Sequence, residues 1–248
     1  YAEVRRSSLD DLVLPDGMVS RVRDDFRRFL DSQAFYAQHR IPYKRGALFL
    51  GPPGNGKTLC IKGLIGELDV PCLYVQSFVA PHVPMQQCIG EVFARARRST
   101  PCLLVLEDLD SLVTGEALSF FLNELDGFAA NEGLITLAST NHAERLDPAL
   151  LHRPSRFDRK YHFGLPGPSE REAYVARWSE ALAEPMQLDV ATQEKLVAHT
   201  DGFSYAYLKE LFLGALMRWS ADPEQAFVDV ALDEARELAA QRESVTSP

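Results

Sequence analysis

Short apolar runs alternate with stretches of helical periodicity along the chain as far as residue 164. The runs have the length and apolar content of buried strands, which are predicted at 47–50, 72–75, 102–106, 134–138 and 160–163. Apolar residues recur at helical spacing around them, and helices are predicted at 16–40, 57–68, 85–98 and 116–127. Strands alternating with helices predict an α/β fold with a parallel sheet covered on both faces. Ligands of such sheets bind at the carboxyl ends of the strands.

Beyond residue 164 the pattern is helical only. Helices are predicted at 169–183, 190–199, 204–220 and 223–242. The change coincides with a segment rich in Gly and Pro at 164–168, which is typical of a domain boundary. We therefore expect an α/β domain at 1–164 and a small all-helical domain at 165–248.

Composition excludes several classes of function. The 248 residues include 35 acidic and 26 basic side chains, and the net charge of -9 argues against non-specific binding to nucleic acid or anionic membranes. The apolar runs are too short to cross a bilayer, and no signal-peptide pattern opens the chain. We expect a soluble, cytoplasmic domain. Because the first residue is Tyr1, we interpret the chain as a piece of a longer protein, with room for an anchor upstream.

The cysteines and histidines form no ligand pattern. The four cysteines are far apart, among apolar neighbours and without a CxxC pair, and the six histidines are scattered. Neither a zinc site nor a disulfide framework is indicated. Reduced thiols in the core are the expected state of the cysteines.

A phosphate-binding pattern follows the first predicted strand. Residues 51–58 read GPPGNGKT and fit G-x-x-x-x-G-K-[ST], between a strand and a helix as that motif requires. Its glycines let backbone N–H groups turn towards phosphate oxygens, and the next helix adds its positive N-terminal end. Lys57 is expected to reach the β- and γ-phosphates, and the Thr58 hydroxyl to ligate Mg²⁺. The alternative, a chance match in a turn, is disfavoured by the flanking elements.

Two acids end the apolar strand 102–106. A buried strand would deliver Glu107 and Asp108 to the sheet edge beside the phosphate loop, where Mg²⁺ and an attacking water need carboxylates. In enzymes with this phosphate-binding pattern, the usual order of the two acids is Asp then Glu. By position, Glu107 should serve the magnesium shell through water, and Asp108 should polarise the nucleophilic water. Asp108 is one methylene shorter than the usual base, so slower hydrolysis is an open alternative, and Asp110 is expected to be structural.

The next strand and the loop after it supply three more candidates. Asn141 ends the polar continuation of strand 134–138 and is placed to hydrogen-bond the γ-phosphate or the attacking water. Alternatively, Asn at a strand end simply starts a turn. Arg153 and Arg156 lie in a loop interrupted by Pro, suited to projecting guanidinium groups outward. An outward arginine stabilises the phosphate transferred in a neighbouring subunit, whereas the commoner role of an arginine is a surface salt bridge.

Together these motifs resemble the AAA family of ring ATPases. GPPGNGKT (Walker A), LLVLEDLD (Walker B), STN and LDPALLHRPSRFDR occur in that family's order and spacing, and DGFSYAYL at 201–208 resembles the GFSGADL segment of its helical lid. The resemblance implies a P-loop NTPase fold of three αβα layers followed by a helical lid. It also implies Mg²⁺-dependent ATP hydrolysis in a homo-oligomeric ring, a hexamer or heptamer, that remodels or translocates a protein in a chaperone-like way.

The resemblance also implies the residues of the nucleotide site. Residues near Asp11 and Val13 would contact adenine, and three lid residues would line the lid side of the nucleotide site. The implied nucleotide-binding set is Asp11, Val13, Gly51, Pro52, Pro53, Gly54, Asn55, Gly56, Lys57, Thr58, Leu59, Gly202, Ser204 and Ala206. The implied catalytic set is Glu107, Asp108, Asn141, Arg153 and Arg156, and the metal set is Thr58 and Glu107.

Within the family, the chain looks most similar to the AAA translocase subfamily that inserts the mitochondrial Rieske protein. The similarity lies at 8–14, at 41–46, in the Glu–Asp order and at 122–127. There are departures. The arginine loop has one residue more than the translocase pattern, with Ser155 where Gly is usual, and Tyr205 replaces a lid glycine. These differences leave the reach of the arginines and the space for the base open.

The loop after the second strand lacks the aromatic–aliphatic–Gly triplet of threading members. Residues 77–84 read SFVAPHVP. Either Phe78 or His82 takes the place of the triplet, or the loop is plain and Phe78 packs into the core, which we favour. Peptide threading through a pore is not supported by this sequence.

Two other functions compete with an active remodelling ATPase. A nucleotide-gated assembly scaffold would bind ATP and barely hydrolyse it, and the Glu–Asp order supports that alternative. A nucleic-acid-directed AAA loader is disfavoured by the acidic balance. Steady-state phosphate release separates the first two, and salt-dependent DNA binding would support the third.

Overall fold

A computed structural model describes residues 8–15, 17–113, 115–127 and 131–246. The predicted start of the first helix at residue 16, and both chain ends, lie outside this range. The chain forms two compact units. One holds Gly17–Pro52, Gly56–Phe163 and residues up to Leu12, and the other holds the chain from Gly164 onward with short segments around Val13 and at Pro53–Asn55.

The first unit is built on a parallel five-stranded sheet. Its strands are β1 Lys44–Leu50, β2 Cys72–Val75, β3 Cys102–Leu106, β4 Leu134–Thr140 and β5 Arg159–His162. All pair in parallel, in the order β2-β3-β4-β1-β5. The predicted fold class is confirmed. Because the strands are parallel, their carboxyl ends share one edge, and β4 lies between β1 and β3 there.

Seven helices accompany this sheet in the described part of the first unit. They are α1 Met18–Asp31, α2 Gln33–His39, α3 Lys57–Glu67, α4 Met85–Arg98, α5 Leu109–Leu112, α6 Ala117–Asp126 and α7 Pro148–Leu151. Short 3-10 helices occupy Leu9–Asp11 and Ala143–Arg145. The prediction of a single helix at 16–40 is wrong, because α1 ends at Asp31 and a second helix, α2, begins after Ser32. The hydroxyl of Ser32 donates to the carbonyl of Arg28 there, as serines that compete with helical hydrogen bonds do.

The core explains why the central strands are apolar throughout. Every residue of β3 and β4 is buried, as expected for strands covered on both faces. On one face, Leu104 and Leu106 of β3 pack with Phe93 of α4 and Phe121 of α6. The two phenylalanine rings lie 6.0 Å apart, edge to face. Truncating either ring to Ala would cost about 3–5 kcal/mol.

The second unit is helical. It comprises α8 Pro168–Ala181, α9 Val190–His199, α10 Tyr205–Ala221 and α11 Phe227–Thr246. The indole of Trp178 stacks on Phe212 with ring centroids 5.0 Å apart. Asp189 caps α9 by accepting from the Thr192 N–H at 2.8 Å, and Ser204 caps α10 by accepting from Tyr207 at 3.3 Å. None of the helices in the described residues combines the length and apolar character needed to cross a bilayer.

Candidate functional site

The loop between β1 and α3 can be built only with glycine at its start. Gly51 has φ +143°, and a Cβ there would lie 2.1 Å from the carbonyl oxygen of Phe163. The Phe163 N–H donates to Leu50 O at 2.7 Å, which holds the two segments at this close approach. Gly56, at φ 91°, precedes α3 and provides no side-chain cap. The first N–H groups of α3 are therefore uncapped by a side chain at the cap position, the arrangement that suits an anion.

Lys57 is folded into this loop. Its side chain is buried, and Nζ donates to Gly51 O at 2.5 Å and to Pro52 O at 2.9 Å. Burial lowers the pKa of the ammonium, while the charges of Asp108 and Glu107 act in the opposite direction. The lysine of the loop therefore lies close enough to the two acids that follow β3 for their charges to act on its pKa.

Glu107 is held by a residue of the neighbouring strand. The hydroxyl of Tyr74, on β2, donates to Glu107 Oε2. The other oxygen, Oε1, is buried, and among the described residues no donor reaches it. A buried carboxylate oxygen without a partner is costly and calls for an explanation. A cation is a ligand that would satisfy this oxygen.

Asp108 lies at the point where β3 turns into α5. Its backbone is left-handed, with φ 49° and ψ 51°, and its side chain makes no cap bond to the helix. Instead Oδ1 accepts a 3.0 Å hydrogen bond from Nδ2 of Asn141. The predicted water-activating acid and the predicted sensing residue are therefore in direct contact.

Asp110 has a different role from its neighbours. Its Oδ1 accepts from Thr140 Oγ1 at 2.5 Å, and the same hydroxyl accepts from the His142 N–H at 2.9 Å. This chain of bonds ties α5 to the end of β4. It satisfies Thr140, which is fully buried, and it fixes the backbone on either side of Asn141.

The two arginines have unlike environments. The Arg153 side chain is 59% exposed and donates to Asp126 Oδ2 at 3.0 Å. Arg156 is only 4% exposed and makes a bidentate pair with the same carboxylate, at 3.0 and 2.8 Å, plus a bond to Ala149 O at 2.7 Å. The expectation that both guanidinium groups project outward is wrong for Arg156. The arginine is turned inward because the Asp126 carboxylate and a carbonyl satisfy it there.

Asp126 is thereby the centre of a charged cluster. The hydrogen bond from Arg156 lowers the pKa of its carboxyl, and the charges of Arg156, Arg153 and Lys44 add to this effect. Lys44 donates to the carbonyls of Leu125 and Asp126, each at 3.0 Å. The end of α6 and the arginine loop are joined by these bonds.

The remaining predicted residues lie as follows. Thr58 and Leu59 open α3 and are exposed, Pro52, Pro53 and Gly54 are exposed, and Asn55 is buried. Asp11 is in the 3-10 helix, where its carboxylate accepts from the Ser8 N–H at 3.3 Å, and Val13 packs on the core of the helical unit. Gly202 has φ +70°, Ser204 caps α10 and Ala206 lies in its first turn. Their contacts with a nucleotide stay predictions.

In the loop after β2, Phe78 packs into the core, as favoured from the sequence, and the alternative role of His82 stays a prediction. Phe78 is 2% exposed and its ring lies 6.2 Å from that of Phe121 in the core. The alternative in which Phe78 replaces a pore-loop aromatic is wrong, because this ring is not available at the surface. Val79 is 76% exposed beside it.

Sequence reasoning missed Tyr74 and Asp126. Tyr74 carries the one hydroxyl in the apolar run CLYV, and a hydroxyl in a strand that is expected to be buried requires a partner. Asp126 closes α6 immediately before Gly127, a position at which an acid is unfavourable to the helix dipole. A hydroxyl in an apolar strand and an acid at the C-terminus of a helix are both unusual, and these unusual residue types were the signal that the sequence offered.

The residues present fit Mg²⁺. Within the described part of the chain, no group of three or more His, Cys, Asp or Glu is arranged to hold a metal ion by itself. Mg²⁺ does not require one, since it keeps several waters and takes one or two protein oxygens plus substrate phosphates. Glu107 offers a buried carboxylate oxygen that no donor in the described ranges reaches, and Thr58 is exposed and offers a hydroxyl.

Comparison with known proteins gives two findings. Residues 47–165 match the model of the family described as "ATPase family associated with various cellular activities (AAA)". The match includes the phosphate loop, the two acids that follow β3, Asn141 and the two arginines. It does not include Asp11, Val13 or the lid residues.

Curated relatives extend the similarity. The ATP-dependent zinc metalloprotease FtsH 2 of Symbiobacterium thermophilum is 36% identical over 216 residues, 78% of this chain and 36% of the relative. FtsH of Bacillus subtilis is 36% identical over 192 residues, 69% and 29% of the two chains. FtsH of Marinobacter nauticus is 32% identical over 238 residues, 89% and 36%. The chain spans 29–36% of the length of these three relatives.

Proposed function

The chain belongs, through residues 47–165, to the AAA family of ATPases, and we propose that it works as one subunit of a homo-oligomeric ring that remodels or moves a protein partner. The domain is an ATP-hydrolysing enzyme that uses ATP and Mg²⁺. The observation that carries the assignment of its site is the environment of Lys57. This buried ammonium lies in the phosphate loop and donates to the carbonyls of Gly51 and Pro52. Burial lowers its pKa, and the nearby charges of Asp108 and Glu107 act in the opposite direction.

The phosphate loop binds the triphosphate. Backbone N–H groups at the start of α3 and the Lys57 ammonium would face the β- and γ-phosphates. Thr58 and Glu107 would hold Mg²⁺, Glu107 through water, and the ion would supply positive charge to offset the charge that develops on the phosphate oxygens. Lys57 loses its bonds to the carbonyls of Gly51 and Pro52 as it turns to the nucleotide, so bonds to two neutral oxygens are replaced by bonds to charged phosphate oxygens.

Asp108 activates the water. The water oxygen attacks the γ-phosphorus, the bond from that phosphorus to the β-phosphate oxygen breaks, and ADP leaves. The proton of the water passes to the Asp108 carboxylate and then to the released phosphate. Asn141 holds Asp108 through its amide and orients the water from the next strand.

Arg153 serves the neighbouring subunit. It is the exposed arginine of the loop: its guanidinium is 59% exposed while it pairs with the partly buried Asp126, so exchanging that partner for a phosphate costs little. Arg156 anchors the loop through its buried pair with the same acid. Each active site then joins the phosphate loop of one subunit to Arg153 of the next.

The partner is proposed to be a protein. The relatives are named ATP-dependent zinc metalloproteases, a name that couples ATP to work on proteins. Because this chain spans only about a third of them, its own partner stays a proposal. A scaffold that binds ATP and hydrolyses it weakly is the second candidate, favoured by the reversed order of Glu107 and Asp108.

Phosphate release tests the proposal. We expect the wild-type chain to release phosphate from Mg²⁺-ATP, and Lys57→Ala to bind ATP roughly 10–100-fold more weakly because charge-assisted bonds are lost. Lys62→Ala, on the same helix, is the matched control and should bind normally. Calorimetry that detects no ATP binding by the wild type at millimolar nucleotide and Mg²⁺ would overturn the proposal. Normal binding with negligible turnover would favour the scaffold.

A further inference from the structure

We propose that Tyr74 is a positioning residue of this site, which fixes the Glu107 carboxylate in the orientation that serves Mg²⁺. The inference rests on the proposed function, since it assigns Glu107 to the metal. Tyr74 belongs to β2, outside the phosphate loop and outside the acidic end of β3. Its role is carried by one contact, the bond from its hydroxyl to Glu107 Oε2.

The register of the sheet places the two side chains on one face. Tyr74 pairs with Val105 across the parallel β2–β3 ladder. Side chains two residues apart on a strand point to the same side, so Glu107 follows Val105 on the face that Tyr74 shares. The long phenol spans the distance to the carboxylate just past the end of β3. A shorter hydroxyl, Ser or Thr, at position 74 would not reach it.

The bond gives the two oxygens of the Glu107 carboxylate different roles. Oε2 accepts from the phenol, and Oε1 is the buried oxygen that no donor among the described residues reaches. A carboxylate held at one oxygen cannot rotate freely, so the direction of its second oxygen is set. This is how a second-layer hydrogen bond orients a metal ligand.

The reversed acid order explains why this chain needs such a bond. A Glu has one more rotatable bond than the Asp usual at this position, and its free carboxylate would sample more orientations. The hydroxyl of Tyr74 removes that freedom. The longer side chain and the tyrosine therefore act as a pair, and neither is expected to work as well alone.

The decisive experiment measures Mg²⁺ directly. ATP affinity is measured by calorimetry across a Mg²⁺ titration, and Mn²⁺ binding to the ATP complex by electron paramagnetic resonance. In Tyr74→Phe we expect roughly tenfold more metal to be needed for half-saturation, with ATP affinity in EDTA unchanged. The control is Tyr161→Phe on β5, which removes another phenol bonded to a carboxylate, that of Asp25 at 2.5 Å. It should leave the metal dependence unchanged, and a wild-type metal dependence in Tyr74→Phe would overturn the inference.

A double-mutant cycle separates positioning from general damage. Glu107→Asp withdraws the carboxylate from the phenol, so adding Tyr74→Phe to it should change the metal dependence less than twofold. An equal loss in both backgrounds would refute the pairing. If Tyr74→Phe does not fold, fluorotyrosine at position 74 gives a second readout. Its ¹⁹F signal should shift when Mg²⁺ is added to the ATP complex, and an unmoved signal would refute the inference.

Failure of the inference is distinct from failure of the function. If wild-type ATP binding is independent of Mg²⁺, or if Lys57→Ala binds ATP normally, the proposed function itself falls. If the wild type depends on Mg²⁺ and Tyr74→Phe depends on it equally, only the role of Tyr74 falls.

Discussion

The side-chain amide of Asn141 donates a 3.0 Å hydrogen bond to Oδ1 of Asp108. The two residues come from the ends of adjacent parallel strands, β4 and β3, and the bond joins them directly across the sheet edge. This bond uses only one of the two carboxylate oxygens of Asp108, and the residue is exposed. A carboxylate oriented by an amide and open to water is suited to accept a proton from that water.

Asp108→Asn should bind ATP and hydrolyse it poorly. The amide cannot accept the proton of the attacking water, so we expect kcat to fall by roughly 10²–10⁴ while the affinity for ATP changes little. Single-turnover phosphate release and calorimetric ATP binding measure the two quantities separately.

Asp110→Asn is the control for that variant. Asp110 accepts from Thr140 and supports the end of β4, so the substitution should act mainly on stability. If Asp108→Asn turned over normally and Asp110→Asn did not, the two acids would have to exchange roles.

Arg153→Ala subunits should inhibit wild-type neighbours in mixed rings. Because the arginine is exposed, its removal leaves folding intact and takes a positive charge from the next active site. Activity on mixing should therefore fall faster than the wild-type fraction. Arg145→Ala, another exposed arginine nearby, is the matched control. Linear dilution of activity by Arg153→Ala would count against a shared site.

Asp126→Asn should destabilise the first unit through Arg156. The arginine is 4% exposed, and removing the charge of its partner should cost about 3 kcal/mol of unfolding free energy. Asp24→Asn tests an exposed pair with Arg28 at 3.8 Å and should cost less than about 0.5 kcal/mol. Urea unfolding of both variants provides the comparison, and equal costs would contradict the assigned anchoring role.

The same pair makes a pH prediction. The pKa of Asp126 is lowered below its ordinary 3.8, first by the hydrogen bond from Arg156. The folded state thus binds fewer protons than the unfolded chain, so the stabilisation is complete above pH 3.8 and is lost as the pH falls through the lower folded value. The stability difference between wild type and Asp126→Asn should be constant at neutral pH and shrink below about pH 4. If the stability difference between the two proteins grew as the pH fell, the pKa of Asp126 would be raised instead of lowered, and the pairing with Arg156 would be contradicted.

Gly51→Ala should disrupt the start of the phosphate loop. The residue has φ +143°, and the new Cβ would lie 2.1 Å from Phe163 O. We expect a cost of about 1–3 kcal/mol from backbone strain, increased by the clash, and weaker ATP binding. Gly164→Ala is the control, since a Cβ there would meet no atom of the described residues within 4 Å. Similar thermal melting of the two variants would refute the close-approach argument.

The sequence predicted the elements whose signals are local. The strands at 72–75 and 102–106 and the helices at 85–98 and 190–199 have the predicted bounds. The four-residue helices α5 and α7 were missed, because one turn is too short to display a helical period. β4 runs to Thr140, beyond its apolar run, since Asp110 satisfies the Thr140 hydroxyl.

Within the site, the sequence alone determined the phosphate loop and the order of the two acids after β3, because both are properties of a contiguous stretch. Residue types and spacing within such a stretch set its backbone conformation and the charges that it carries. Tertiary structure decided that Tyr74 binds one particular oxygen of Glu107. It also decided that Asp126 turns Arg156 inward, while Arg153 stays exposed. Those contacts join residues 27–33 positions apart, and they depend on strand register and side-chain rotamers that no local pattern encodes.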